Sequence, residues 1–83
     1  AVITDDTCLP PGYGQMNGYV AEAIKMSAIE EGIIVDPVYS GKALAGLIHL
    51  IRSGTIPQGQ NVLFLHTGGA PANFGYQSEL ERL

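Results

Sequence analysis

Apolar residues are spaced along this chain in two different ways, and the difference divides it into alternating elements. From about Gly18 to Glu31, Val20, Ala23, Ile24, Ser27 and Ala28 recur at three- and four-residue intervals, while Glu22 and Lys25 fall on another face. That spacing predicts an amphipathic helix, which Gly32 ends. A second helix is predicted after Tyr39-Ser40-Gly41, where Leu44, Leu47, Ile48 and Ile51 share one face and Ser53-Gly54 supplies a stop. Elsewhere the apolar residues are contiguous. Val2-Ile3-Thr4, Gly32-Ile33-Ile34-Val35 and Val62-Leu63-Phe64-Leu65 read as short strands, the last as a parallel strand covered on both faces. Breakers separate these runs: Leu9-Pro10-Pro11-Gly12-Tyr13-Gly14 reads as an ordered loop, Asp36-Pro37 ends a strand, Thr55 to Gln60 is a polar connection, and Thr67-Gly68-Gly69 is a turn before a short helix opened by Pro71. The order of strand, loop, helix, strand, helix, strand, helix predicts an α/β fold, a partial parallel sheet with layered helices.

Size changes that picture, because 83 residues make one small domain at most and two or three parallel strands make a poor sheet alone. A self-sufficient enzyme is not expected. The lone cysteine, Cys8, rules out an internal disulfide, and no paired spacing suggests a metal site. Four Lys plus Arg against eight Asp plus Glu give a net charge of −4 with no basic cluster, so neither nucleic acid nor a membrane surface is an expected partner. The opening Ala-Val-Ile-Thr-Asp-Asp lacks the layout of a signal peptide, and no apolar run approaches about 18 residues, so a cytoplasmic location is expected.

Candidate chemistry gathers where apolar runs give way to helices. Val35 to Lys42 and Phe64 to Gly69 each end in a hydroxyl residue plus glycine, the position at which α/β sheets bind polar ligands. Ser40-Gly41-Lys42 is similar to the end of a nucleotide-binding loop, but Asp36, Pro37 and Ala43 stand where that loop needs other residues. Lys42 reads either as a nucleophile needing desolvation or as a solvated first-turn lysine. His66 reads as a structural histidine or as an acid–base group. Tyr13 and Tyr39 are ligand-contact or packing residues, and Cys8 has no activating neighbour.

Five segments, in order and with spacing kept, carry a specific resemblance: Pro11-Gly12-Tyr13-Gly14; Glu22-Ala23-Ile24; Glu31-Gly32-Ile33 with Asp36 to Ala43; Ala45-Gly46-Leu47-Ile48; and Leu63 to Pro71. Together they are similar to the C-terminal quarter of the D-cysteine desulfhydrase and 1-aminocyclopropane-1-carboxylate deaminase family, fold-type-II pyridoxal-phosphate enzymes related to the tryptophan synthase β-chain. The resemblance implies that residues 1–83 are a C-terminal fragment of a pyridoxal 5′-phosphate enzyme domain, inactive alone, whose parent is a homodimeric lyase of amino-acid metabolism. It implies that Tyr13 and Tyr39 are catalytic, that Ser40 and Thr67 lie near the pyridine nitrogen, and that Gly68 belongs to the cofactor site. The family's cofactor-bearing lysine, its phosphate loop and the serine that follows the substrate carboxylate are expected upstream, in the remainder of the polypeptide. The deaminases have glutamate where this chain has Ser40, which favours β-elimination from D-cysteine, with L-cysteate sulfo-lyase and the deaminase as alternatives. A small anion-binding α/β module, holding its ligand at Gly68-Gly69, is the non-enzyme alternative. Two departures from the family pattern stand out, Gln15-Met16-Asn17 after the glycine-rich loop and Asn73 after Pro71.

Overall fold

A computed structural model describes residues 2–83. Both predicted long helices are present: α1 spans Gly18–Glu31 and α2 spans Ser40–Arg52. Asn17, extended at φ −117° and ψ 179°, starts α1 by accepting a hydrogen bond from the Val20 amide at 3.0 Å through Oδ1. Gly32 closes that helix by donating its amide to the Ala28 carbonyl at 3.1 Å. The Ser53 and Gly54 amides close α2 on the His49 and Ile51 carbonyls. Near the C-terminus a 3₁₀ helix, Ala70–Tyr76, with Pro71 in its first turn, leads into the single turn α3, Gln77–Leu80.

Helices α1 and α2 pack on each other, α1 through its marked face and α2 through Ala45 at the border of its marked face, which leaves Ile51 39% exposed. Val20, Ala23 and Ala45 form the buried contact, Cys8 is buried beside it, and Met16, Ile24, Leu44 and Ile48 border it. Outside that seam the Arg52 guanidinium forks onto the Glu22 carboxylate at 2.7 and 3.1 Å. Both groups are about half exposed, so the pair adds little stability.

The expected α/β fold with a partial parallel sheet is not found: among the described residues there is no strand, only helix, turn and extended chain. Val2-Ile3-Thr4 is exposed coil. Ile33 to Val35 and Val62 to Leu65 run without ladder hydrogen bonds, and Leu63 and Leu65 remain 91% and 76% exposed. The reason is physical: contiguous apolar residues register a demand for burial on two faces, whereas a strand also needs a neighbour whose N–H and C=O groups meet its own. Here side chains do the joining, with His66 Nε2 on the Ile34 carbonyl at 2.8 Å and Asn73 Nδ2 on the Val35 carbonyl at 3.3 Å.

With so few fully buried apolar side chains and so much exposed apolar surface, the 83-residue chain alone should unfold in a broad, weakly cooperative transition and bind a hydrophobic dye at room temperature. A thermal melt followed by circular dichroism, with dye fluorescence alongside, measures both. A sharp transition without dye binding would contradict the expectation.

Candidate functional site

The turn between Val35 and α2 is built around the carboxylate of Asp36, which is fully buried. Proline at 37 removes one donor and fixes φ, so the next three amides fold back onto the aspartate. Oδ2 accepts from the Val38 and Tyr39 amides at 2.8 and 2.7 Å, and Oδ1 accepts from the Ser40 amide at 2.9 Å and the Ser40 hydroxyl at 2.6 Å. The Asp36 amide donates to Ser40 Oγ at 3.0 Å, and the Gly41 amide donates to the Asp36 carbonyl at 2.7 Å. Burial disfavours the ionised carboxyl, but the Ser40 hydroxyl and the three amides outweigh it and hold the Asp36 pKa below the usual carboxylate value. The carboxylate also sits at the positive end of α2, so that helix start is neutralised from within rather than free for an outside anion.

Two glycines let other chain segments approach this group. A Cβ on Gly41 would lie 2.1 Å from the Asp36 carbonyl oxygen, and one on Gly69 would lie 2.3 Å from Asp36 Oδ1. The second contact brings the Thr67-Gly68-Gly69 turn against the first one. His66 fixes that turn from the other side: Nδ1 accepts from the Gly68 amide at 3.0 Å and Nε2 donates to the Ile34 carbonyl. One neutral tautomer satisfies both bonds, which is the behaviour of a structural histidine.

Tyr39 leaves the Asp36 turn 55% exposed, and its hydroxyl meets that of Tyr13 in a hydrogen bond, the rings edge to face at 6.1 Å. The bond to Tyr13 and the charge interaction with it, then slight burial, then Asp36 and Tyr76, raise the Tyr39 pKa above the usual phenol value. Whichever phenol donates, one hydroxyl proton of the pair remains free to point outward. Tyr39, Ser40 and Thr67 line one open concavity of about 660 Å³ with Leu9, Phe64 and Leu65. Tyr13 borders it only through Tyr39, Thr67 and Gly68 are exposed, and the Gly68 amide is committed to His66.

Several groups at this site make contacts that their spacing did not indicate. Lys42 is not a solvated first-turn lysine: it is 7% exposed, and Nζ donates to the Leu9 and Gly12 carbonyls at 3.0 and 2.8 Å. Asp36, taken as a strand terminator, is the hub of the turn, and its signal was the aspartate–proline pair ahead of a helix. Asn17, one of the departures from the family pattern, caps α1 and donates through Nδ2 to the Cys8 and Pro10 carbonyls. Tyr76 donates its hydroxyl to the Gly14 carbonyl, 62 residues away in sequence. Burial, then Asp5, pushes the Cys8 thiol up, away from reactivity.

No family model matches the chain. Among curated proteins it is 48% identical over 68 residues to a probable 1-aminocyclopropane-1-carboxylate deaminase of Schizosaccharomyces pombe, covering 82% of this chain and 20% of that protein. It is 49% identical over 71 residues to the D-cysteine desulfhydrases of Salmonella newport and Salmonella heidelberg, covering 86% of this chain and 22% of each of them. The chain thus spans about a fifth of the length of the curated relatives it matches. The resemblance drawn from the sequence is borne out: the chain is related to desulfhydrase and deaminase sequences over most of its residues.

Asp36→Asn should destabilise a polypeptide containing this segment by about 2–3 kcal/mol, the scale of a charge-assisted hydrogen bond replaced by an amide turned toward amide donors. Because the folded-state pKa of Asp36 is depressed, its contribution is complete above the ordinary carboxylate range, shrinks as pH falls through that range and is gone below the depressed pKa. Denaturant titrations across acid pH should show that loss in the wild type, and the Asn variant should lack this component.

Proposed function

From this kinship we propose that the chain is part of a pyridoxal-phosphate-dependent lyase that eliminates the β-substituent of a cysteine-like amino acid. D-cysteine plus water would give pyruvate, ammonia and hydrogen sulfide. The observation that carries the reading is the paired Tyr13 and Tyr39 hydroxyls at the edge of the concavity that Ser40 and Thr67 line. Pyridoxal phosphate, when bound, supplies an electron sink for the substrate's α-carbon.

The residues present suit the ring end of that cofactor rather than its phosphate. Ser40 and Thr67 bring two hydroxyls to the concavity, and Tyr39 brings an aromatic wall. Ser40 gives its only hydroxyl proton to Asp36, so it offers a ring nitrogen a lone pair, and Thr67 is the candidate donor. Gly68, at φ 107°, lets the backbone turn directly after Thr67. Lys42 holds two carbonyls with its ammonium, so the lysine that bears the cofactor belongs to the remainder of the polypeptide. Tyr13 and Tyr39 are the catalytic pair: one phenol hydroxyl stays free to give a proton to substrate while its partner holds it in place. The family relationship further supports a homodimer acting in the cytoplasm. No helix among the described residues is long and apolar enough to cross a membrane.

A second reading, deaminase activity on the cyclopropane amino acid, is favoured by the 48% identity to the fission-yeast protein. Assay of the polypeptide containing this segment, loaded with pyridoxal phosphate, on D-cysteine, L-cysteate and 1-aminocyclopropane-1-carboxylate separates the readings. Hydrogen sulfide and pyruvate in equal amounts from D-cysteine are expected; sulfite from L-cysteate or 2-oxobutanoate from the cyclopropane substrate, without sulfide from D-cysteine, would replace that reading. Tyr13→Phe and Tyr39→Phe should each lower kcat by about 10²-fold, the scale of a lost positioned acid or base, with the bound-cofactor spectrum retained. Wild-type turnover in both variants would make them packing residues.

A further inference from the structure

Tyr13 poses a problem of placement. Its ring is 79% exposed, so packing does not hold it, and it stands in a loop without regular secondary structure in which Pro10 and Pro11 provide no amide donors. Yet its hydroxyl must meet that of Tyr39. The carbonyls on either side of it show how. Just before Tyr13, the Lys42 ammonium pairs with no carboxylate among the described residues and instead donates to the Leu9 and Gly12 carbonyls at 3.0 and 2.8 Å. Just after it, the Tyr76 hydroxyl donates to the Gly14 carbonyl, and a Cβ on Gly14 would lie 3.3 Å from the Tyr76 oxygen.

Lys42 belongs to the first turn of α2, three residues beyond Tyr39, and Tyr76 to the end of the 3₁₀ helix that follows Gly69. The two donors therefore come from the two segments that pack on Asp36. A lysine buried to 7% exposure without a counter-ion is costly unless its protons are matched, and two carbonyl dipoles of one loop match two of them.

We propose that Lys42 and Tyr76 are positioning residues for the reaction described above: they clamp the backbone on both sides of Tyr13 and so fix its hydroxyl against Tyr39. This rests on the lyase reading, because the clamp matters to turnover only if Tyr13 acts on substrate. Misplacement by about 1 Å can cost up to about 10²-fold in rate.

The test is a double-mutant cycle on the polypeptide containing this segment, in its cofactor-loaded form. Tyr76→Phe, which removes a single oxygen, should lower kcat about 10-fold with KM changed less than about 2-fold, and Lys42→Met should do at least as much. In a Tyr13→Phe background neither should cause a further loss, since the group they position is gone. Equal losses in both backgrounds, or none in the wild-type background, would overturn the proposal. Hydrogen exchange reads the clamp without turnover: the Gln15 amide, bonded to the Gly12 carbonyl at 3.2 Å, should exchange faster in Tyr76→Phe and Lys42→Met, and unchanged exchange would also overturn it. If exchange quickens while the wild type eliminates nothing from any thiol substrate, the lyase reading fails and the clamp remains as a property of the fold.

Discussion

Everything placed at this site depends on the burial of one charged carboxylate. Asp36 is shielded from solvent without a cationic partner, a condition tolerable only because three amides and a hydroxyl replace the water it lost. Those donors come from residues 38 to 40, so satisfying the charge forces the chain to fold back and begin α2 where it does. Tyr39 is thereby left at the turn with no cap to make and its ring directed outward, and Ser40 is drawn inward to 2% exposure. The second turn is admitted only because residue 69 has no side chain to strike the same carboxylate. A tyrosine, a serine and a threonine distant in sequence thus share one concavity through the demands of a residue that does not line it.

The two tyrosines are held by opposite means. Tyr39 is fixed from its own turn, by short-range hydrogen bonds within five residues. Tyr13 lies in a segment whose prolines and glycines cannot sustain a ladder, and its carbonyls are captured by side chains: nearby Asn17 takes those of Cys8 and Pro10, and from far along the chain Lys42 takes those of Leu9 and Gly12 and Tyr76 that of Gly14. Side-chain donors standing in for backbone ladders are what an irregular loop requires if its carbonyls are not to be left unpaired. The result is a phenol pair with exposed rings and determined positions.

What could be read from the sequence follows the range of the forces involved. The two helices were visible because a 3.6-residue period and a glycine stop are local signals, and α1 and α2 obey them. The runs at 33–35 and 62–65 were misread as sheet because apolar content reports burial while pairing is a property of two segments at once. Tyr13, Tyr39, Ser40 and Thr67 drew notice from their places in loops and at helix starts, and only the resemblance gave them roles. Lys42 was misjudged because the first turn of a helix is ordinarily solvated, and nothing local announces a proline-rich loop 30 residues upstream whose carbonyls need donors. Tyr76 gave no signal, since its partner is a backbone carbonyl 62 residues away.

The Asp36 turn also limits which side chain residue 40 can carry without cost. Serine at this position bonds to Asp36 twice, accepting from its amide at 3.0 Å and donating to its carboxylate at 2.6 Å. A glutamate at this position could not repeat the second bond, because two ionised carboxylates would then meet in a buried turn. Its longer side chain has to turn away from Asp36, and the space open beside Tyr39 and Thr67 is the concavity. One substitution therefore converts an inward-facing hydroxyl, absorbed in holding the turn, into a carboxylate presented to whatever occupies the site. The three amide bonds to Asp36 do not involve the side chain of residue 40 and would remain, while a negative charge would be added beside Tyr39 and Thr67.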